Sequence, residues 1–397
     1  MQKIKVVFVS NYINHHQLPV SNALYSDECL DYTFIQTEKM EEERVKMGWG
    51  LEVNVIPFVK CYYDAPNDCE KLIMDADIVI FGGTDDESYI INRLEAGKIV
   101  IRYSERIYKD GQWKFISPKG LAKKYHDHIR FNNKPVYMLC SGAYVASDFS
   151  LIHAYKNKMF KWGYFPEFRE YNENTLMSKK EEVDMVRFLW TGRMIDWKHP
   201  EDAVAVAKAL RKNGKNFCMT MIGEGPMRSS IEEEIVKAGL TSYVKIMNFM
   251  EPAKIREYML SSDVYLFTSD YKEGWGVVLN EAMNSGCAVI ASSKIGAVPY
   301  LLKHDINGMV YKTGNTNELV KYASELADDK RKCMRLGMSS YYTIRDKWNP
   351  VYAAERLVKF IRAIMSNSVE AMSDDGPLSR AEVIPPSKGY DYCRNKI

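Results

Sequence analysis

Short, continuously apolar runs rich in Val, Ile, Leu and Phe recur along the whole chain, and amphipathic stretches separate them. A run of that kind is buried on both faces, as a strand of a parallel sheet is. Parallel neighbours need long crossovers, and the intervening stretches have helical length and periodicity. The pattern predicts α/β architecture with doubly wound parallel sheets. It occurs in two series, at residues 4–10, 31–36, 52–56, 77–82, 98–103 and 135–140, and again at 186–191, 216–222, 244–248, 263–268, 287–292 and 308–311. A polar stretch from Tyr171 to Glu182 separates them and reads as a linker. A chain of 397 residues exceeds what one core usually supports, so two domains are expected, over 1–165 and 184–345, joined by a linker at 166–183. A helix follows Trp348-Asn349-Pro350, and residues 366–397, rich in Ser, Pro, Gly and charge, read as a mobile tail.

The formal net charge of +2 argues against a dedicated nucleic-acid binder. No apolar run approaches the ~20 residues needed to span a bilayer. The apolar run at the N-terminus is too short for a signal peptide and reads as a first strand. A cytoplasmic protein, or one peripheral to the inner face of a membrane, is the expectation. The eight cysteines are scattered without a C-x-x-C pair, and read as free thiols.

The stretch Glu273-Gly274-Trp275-Gly276-Val277-Val278-Leu279-Asn280-Glu281-Ala282-Met283 carries the clearest chemistry. A buried strand, Asp263 to Phe267, precedes it, and its glycine turn opens directly into an apolar helix. Strand, glycine turn and helix start point backbone N–H groups and a positive helix end at an anion, usually a phosphate. Carboxylates beside such a cradle accept hydrogen bonds from hydroxyls, as the acidic residue of a dinucleotide site does with ribose. Glu273 in the turn and Glu281 one helical turn inside can serve the two ends of one ligand. A diphosphate flanked by two polyhydroxylated rings, a nucleotide-sugar, uses both features.

This segment resembles the E-x7-E motif of retaining GT-B glycosyltransferases of family 4. Gly192-Arg193 with Lys198 resembles that family's diphosphate clamp, Ile222-Gly223-Glu224-Gly225-Pro226 its vGdGp turn, and Gly286 to Ser292 its G-x-P-V-I-A-S strand, so that roughly residues 185–330 are covered. The resemblance implies two facing Rossmann-like domains with a cleft between them, and a helix over 346–365 crossing back to the N-terminal domain. It implies transfer from a nucleoside-diphosphate sugar without a metal or other cofactor, with Arg193 and Lys198 offsetting charge on the leaving diphosphate. Glu273 would meet hydroxyls of the donor sugar and Glu281 those of ribose, and amides about Gly274, Val277 and Val278 would hold the diphosphate. Ser269 precedes the motif as the family's serine does. Gly192, Gly223 and Gly225 belong to the implied donor set, although a plain tight turn accounts equally well for the last two. Phe249 stands where the family places the base, with a core aromatic as the competing reading. The family's G-G-x-P-E becomes Gly296-Ala297-Val298-Pro299-Tyr300 here.

The first half is less telling. The first strand runs into Ser10-Asn11-Tyr12-Ile13-Asn14-His15-His16-Gln17, a loop lacking the glycines the family often has. Asn14, His15 and His16 are candidate contacts for acceptor hydroxyls. Two neighbouring histidines without a suitably spaced carboxylate make a poor metal site. His126 and His128 read as helix-surface residues, and Asp85 and Asp86 as helix caps. Ser104 stands near where many family members carry a histidine. Glu105 is the candidate to replace it, as a carboxylate able to stabilise an oxocarbenium-like state, and Arg106 adjoins it. From Lys119 to Lys161 eight basic residues face two acids, beside Phe160, Trp162, Tyr164 and Phe165. That mixture suits an anionic membrane surface or a lipid-diphosphate acceptor, and equally a solvated basic face.

The reading is a glycosyltransferase acting on a glycan or lipid-linked acceptor in bacterial surface polysaccharide or glycolipid synthesis. Two rivals stand beside it. A nucleotide-sugar epimerase of related fold needs acid/base residues that the first half does not offer. A non-catalytic nucleotide-sugar-binding or scaffold protein is consistent with the missing histidine and the glycine-free first loop.

Overall fold

The computed structural model describes residues 2–45, 50–369 and 375–395. The chain divides into two compact units, Met1–Glu167 with Asn349–Ile384 and Phe168–Trp348 with Pro385–Ile397. The first holds β1 (Ile4–Ser10), β2 (Leu30–Gln36), β3 (Val59–Cys61), β4 (Ile78–Phe81), β5 (Val100–Ser104), β6 (Val136–Ser141) and β7 (Met159–Trp162). They form one parallel sheet in the order β3-β2-β1-β4-β5-β6-β7. The second holds β8 (Val186–Thr191), β9 (Phe217–Ile222), β10 (Val244–Met247), β11 (Val264–Phe267), β12 (Ala288–Ser292) and β13 (Met309–Tyr311). Their order is β10-β9-β8-β11-β12-β13, again parallel throughout. Both orders reverse at the unit's first strand, which leaves a switch point between β1 and β4 and another between β8 and β11. The strands beside these points, β4 and β11, are buried at every position, as strands covered on both faces are.

The second series of apolar runs appears as β8 to β13. In the first series, residues 52–56 do not pair. Val53–Val55 is a single 3-10 turn with Val55 exposed, and β3 begins only beyond Pro57. Proline offers no N–H to a ladder, so pairing starts with Val59 opposite Phe34. The strand β7 is absent from the sequence series; it is only four residues long, Met159-Phe160-Lys161-Trp162, with a lysine inside it. Lys161 is 4% exposed and lies 3.3 Å from both Asp375 and Glu382, which neutralise it.

Those partners belong to the segment expected as a mobile tail. Lys161 N donates to Ser379 O and Leu378 N to Lys161 O, each at 2.8 Å, so the segment runs antiparallel along β7 and covers the sheet edge. Further on, the helix Gly389–Asn395 lies on the second unit, with Tyr390 donating to Glu318 and Arg394 to Tyr322. Residues 375–395 are therefore packed, and 370–374 and 396–397 lie outside the described residues. The expected linker contains the helix Glu173–Glu181, whose Leu176 and Lys180 are buried; Lys180 Nζ caps the carbonyls of Met259 and Ser262. Nor does the basic stretch Lys119–Lys161 form one surface. Lys158 donates to the Asn132 and Lys134 carbonyls at 2.9 and 2.7 Å, and Phe160, Trp162 and Phe165 are core residues. No described helix is long and apolar enough to cross a membrane.

One fully buried cation shows how the first unit is tied together. Arg93 donates at 2.8 Å to the carbonyls of Ile73, Ala76 and Asp77 and at 3.0 Å to that of Ile99, where a helix ends and two strands begin. Burial pushes its pKa down to about 10. Arg93→Met keeps the bulk and strands these carbonyls without a donor. We expect a loss of roughly 3 kcal/mol or more in urea denaturation; a loss below about 1 kcal/mol would mean the carbonyls find other partners.

Candidate functional site

Loops from β8, β9 and β11 are locked together at the carboxyl ends of the second sheet. Gly192 N donates to Ile222 O at 3.1 Å and Met194 N to Glu224 O at 2.7 Å, which extends the ladder beyond the strands. The two backbones come so close that a Cβ on Gly223 would lie 1.9 Å from Gly192 O, and one on Gly225 would lie 2.5 Å from Met194 O. Close approach of two segments, together with φ of +149° at Gly223 and +151° at Gly225, is why glycine stands at both positions.

The loop after β8 then makes the 3-10 turn Asp196–Lys198. Lys198 Nζ forms an ion pair with the Glu273 carboxylate, and both side chains are largely buried. The Trp197 ring centroid lies 4.6 Å from Lys198 Nζ and 5.7 Å from Cζ of the exposed Arg193, so one indole faces both cations. Asp270 N donates to Trp197 O at 3.0 Å, Thr268 Oγ1 to Lys198 O at 2.6 Å and Trp190 Nε1 to Thr268 Oγ1 at 2.8 Å. The turns after β8 and β11 thus form one piece across the switch point. His199 closes the turn in a left-handed conformation (φ 49°), and its hydrogen bond to Glu201 raises its pKa. Sequence reasoning missed Trp197, His199 and Asp270, although a tryptophan between Arg193 and Lys198 was a visible signal.

Glu281 lies in the first turn of the helix Val278–Asn284, half-buried. Burial pushes its pKa up, against the opposing pull of Arg256 and Arg169. Asn284 anchors both arginines: its Oδ1 accepts from Arg256 and from Arg169 N at 2.9 Å. Gly276 takes φ +83°, where a Cβ would meet the Phe267 ring at 2.6 Å. The carbonyls of Gly274 and Trp275 accept from the amides of Gly296 and Ala297 at 3.0 and 3.1 Å, which pins the turn from behind. Ser269 is buried beside it, and Val277 and Val278 are half-buried. Phe249, just past β10, is 47% exposed, so the core-aromatic reading does not hold.

In the first unit a cavity of about 820 Å³ opens at the carboxyl ends of β4 and β5. Its floor is Arg102, 2% exposed, paired with Glu87 and hydrogen-bonded to His128 Nδ1 at 2.5 Å and Tyr155 Oη at 3.2 Å. His128 is therefore no surface residue; burial and Arg102 hold its pKa well down and keep it neutral. Glu105 lines the cavity, accepting from Tyr164 Oη at 2.9 Å and pairing with Lys109. Arg106 also lines it, but its guanidinium is committed to the buried Asp148 at 3.0 and 3.1 Å. Asn14 shapes its own loop, its Oδ1 accepting from His16 N at 2.9 Å and Gln17 N at 3.1 Å. The His15 and His16 rings lie 3.7 Å apart; burial lowers the His15 pKa to about 4, and burial together with His15 holds that of His16 well down. Asp86 accepts from Ser88 N at 3.0 Å at the start of a helix. Among the described residues, no group of three or more His, Cys, Asp and Glu is placed to hold a metal ion.

The glycine contact gives a direct test. Gly223→Ala should cost roughly 3 kcal/mol or more, since backbone must move. Gly214→Ala, at φ +63° with open space around it, should cost only about 1 kcal/mol. Equal losses in denaturant titrations would mean that neither the Gly192 carbonyl nor the φ of +149° at Gly223 adds to the cost.

Residues 173–341 match the sequence model of the glycosyl transferases group 1 family. The chain is 23% identical over 184 residues to the amylovoran biosynthesis glycosyltransferase AmsK of Erwinia amylovora, covering 45% of each protein. It is 25% identical over 176 residues to the alpha-D-kanosaminyltransferase of Streptomyces kanamyceticus, covering 44% of this chain and 45% of that one. The matches thus span about half the length of these curated relatives. Over 91% of this chain and all of the other, the structure superposes on HepE of Anabaena, solved in complex with UDP, with a TM-score of 0.67 at 14% identity. The two doubly wound sheets of this chain are therefore those of a GT-B fold, and the segment similar to the glycosyl transferases group 1 family lies in its second unit.

Proposed function

We propose that this protein transfers a glycosyl group from a nucleoside-diphosphate sugar to a hydroxyl of a glycan or lipid-linked acceptor, with retention of configuration and without a metal, in the assembly of a bacterial surface polysaccharide or glycolipid. The observation that carries this reading is the Lys198–Glu273 pair across the β8–β11 switch point, with Arg193 facing the same indole. It puts cations suited to a diphosphate and a carboxylate suited to sugar hydroxyls in one place. Lys198 and Arg193 take the charge that builds on the leaving diphosphate. Glu273 accepts from hydroxyls of the donor sugar, Glu281 from those of ribose, and exposed Phe249 offers a face to the base. As the bond from the anomeric carbon to the diphosphate breaks, its electron pair leaves with the diphosphate. The acceptor oxygen bonds to the same face of that carbon, and its proton passes to a diphosphate oxygen. His15, His16 and the Glu105 cavity of the first unit are assigned to the acceptor. HepE, solved with UDP and with UDP-glucose, and the glycosyltransferase names of the relatives support a donor of this class.

Thermal stabilisation by UDP-glucose, GDP-mannose and ADP-glucose tests the reading. A ligand at 100 times its dissociation constant should stabilise by roughly 2.7 kcal/mol. One nucleotide series should do so, unaffected by EDTA, and Arg193→Ala and Glu281→Ala should abolish it. No shift with any nucleotide would overturn the proposal; binding without turnover over an acceptor panel would favour the non-catalytic rival. The ion pair adds a finer expectation. A free diphosphate that recruits Lys198 leaves Glu273 without a partner, whereas an intact donor supplies hydroxyls. Glu273→Gln should therefore narrow the affinity gap between donor and free diphosphate by about tenfold, and an unchanged gap would separate Glu273 from the sugar.

A further inference from the structure

We propose that residues 109–125 of the first unit form a docking surface for an anionic lipid bilayer. Three exposed large apolar side chains crowd this short span: Trp113 at 68%, Ile116 at 65% and Tyr125 at 58% exposure. They stand on the 3-10 turn Gln112–Ile116 and the helix Pro118–Asp127, which pack against each other. At Gly111 (φ +135°) the absent side chain makes room for the Trp113 indole, whose nitrogen would lie 2.5 Å from a Cβ there. The apolar tips are interleaved with charge of one sign, five lysines (109, 114, 119, 123 and 124) against Asp110. Lys109, Lys114 and Lys123 pair with Glu105, Asp110 and Asp127, while Lys119 and Lys124 stay out of ion pairs among the described residues. The Lys114–Asp110 pair joins two exposed side chains and is weak, so Lys114 exchanges readily to another anion, whereas Lys123 is exposed but its partner Asp127 is buried.

An indole and an isoleucine that project into water beside lysines match the boundary between headgroups and acyl chains. The ring sits at headgroup depth, the lysine stems lie along it and their ammonium groups meet lipid phosphates. A protein partner of ordinary surface would bring mixed charge; a run of one sign fits a polyanionic plane. The surface also adjoins the first unit's cavity, because Lys109, Lys123 and Lys124 line both. Resting on the function proposed above, a lipid-anchored acceptor would thus pass from bilayer to cavity along one segment. The docking itself does not depend on that function.

Sedimentation of the full chain with vesicles of phosphatidylcholine, alone and with about one third phosphatidylglycerol, tests this. We expect binding to the anionic vesicles only, weakened by salt. Trp113→Ser and the double variant Lys119→Glu with Lys123→Glu should each reduce it at least about tenfold. Val236→Ser, at a 64% exposed position in the second unit, should leave it unchanged. Equal binding to neutral vesicles, no binding, or binding that survives both patch variants would overturn the proposal. So would lipid-free self-association abolished by Trp113→Ser, which would make the patch a contact between copies. Because all substituted side chains are exposed, an unaltered thermal transition confirms that each variant is folded, and the nucleotide shift reports separately on the donor site.

Discussion

A parallel sheet whose strand order reverses at its first strand leaves a gap where the loops on either side turn away from each other. Right-handed crossovers force this: strands added to the two sides of that first strand place their helices on opposite faces. In the second unit the gap lies between β8 and β11, and the charged side chains of the site come from the loops that part there. The ion pair of Lys198 with Glu273, supported by the Thr268 hydroxyl and the Trp197 carbonyl, spans it. In the first unit the corresponding gap is closed. A Cβ on Gly83 would lie 2.4 Å from Ser10 Oγ, and Ser10 Oγ is 2.7 Å from Tyr103 Oη. The open space shifts one strand along, to the ends of β4 and β5. The same topology thus yields a loop-lined charged site in one unit and a cavity floored by a buried arginine in the other.

Buried charge follows a rule in both units. Arg93, Arg102, Lys161 and Lys180 are all nearly inaccessible, and each meets acceptors supplied by the protein, with only Nε of Arg102 left without one. Arg93 and Lys180 use carbonyls, Arg102 uses Glu87, His128 and Tyr155, and Lys161 uses two carboxylates from the far end of the chain. Such groups cost desolvation, which hydrogen bonds and ion pairs to the remaining donors offset.

That rule also marks where sequence reading stops. The second unit was legible because its strands are predominantly apolar runs and its motif residues sit within a few positions of strand ends. The α/β class and the glycine turn about Glu273 follow from such local signals, while Arg193 and Lys198 entered through the resemblance to the family's diphosphate clamp. What escaped depended on partners distant in sequence. Lys161 reads as part of a basic stretch until Asp375, 214 positions away, is placed beside it. His128 reads as exposed until Arg102 and Tyr155 enclose it, and Gly223 reads as a turn until the Gly192 carbonyl arrives. A lone charge in a strand-like run carries no local sign of its neutralising partner.

The departure at Tyr300 shows how such a loss is absorbed. A glutamate there, as in the resembling family, would be available for a hydrogen bond near the turn that follows Glu273. Tyr300 instead lies 6.0 Å from Trp348 in a stacked pair and 6.3 Å from Trp275, which stands between the two glutamates of the motif. Trp275 is fully buried, and its indole N–H donates to Asn280 at 2.8 Å. Aromatic packing of this kind resists displacement through shape as well as burial. The turn that presents Glu273 and Glu281 is therefore held from behind by three rings and two backbone hydrogen bonds. That support lies in the core, behind the turn.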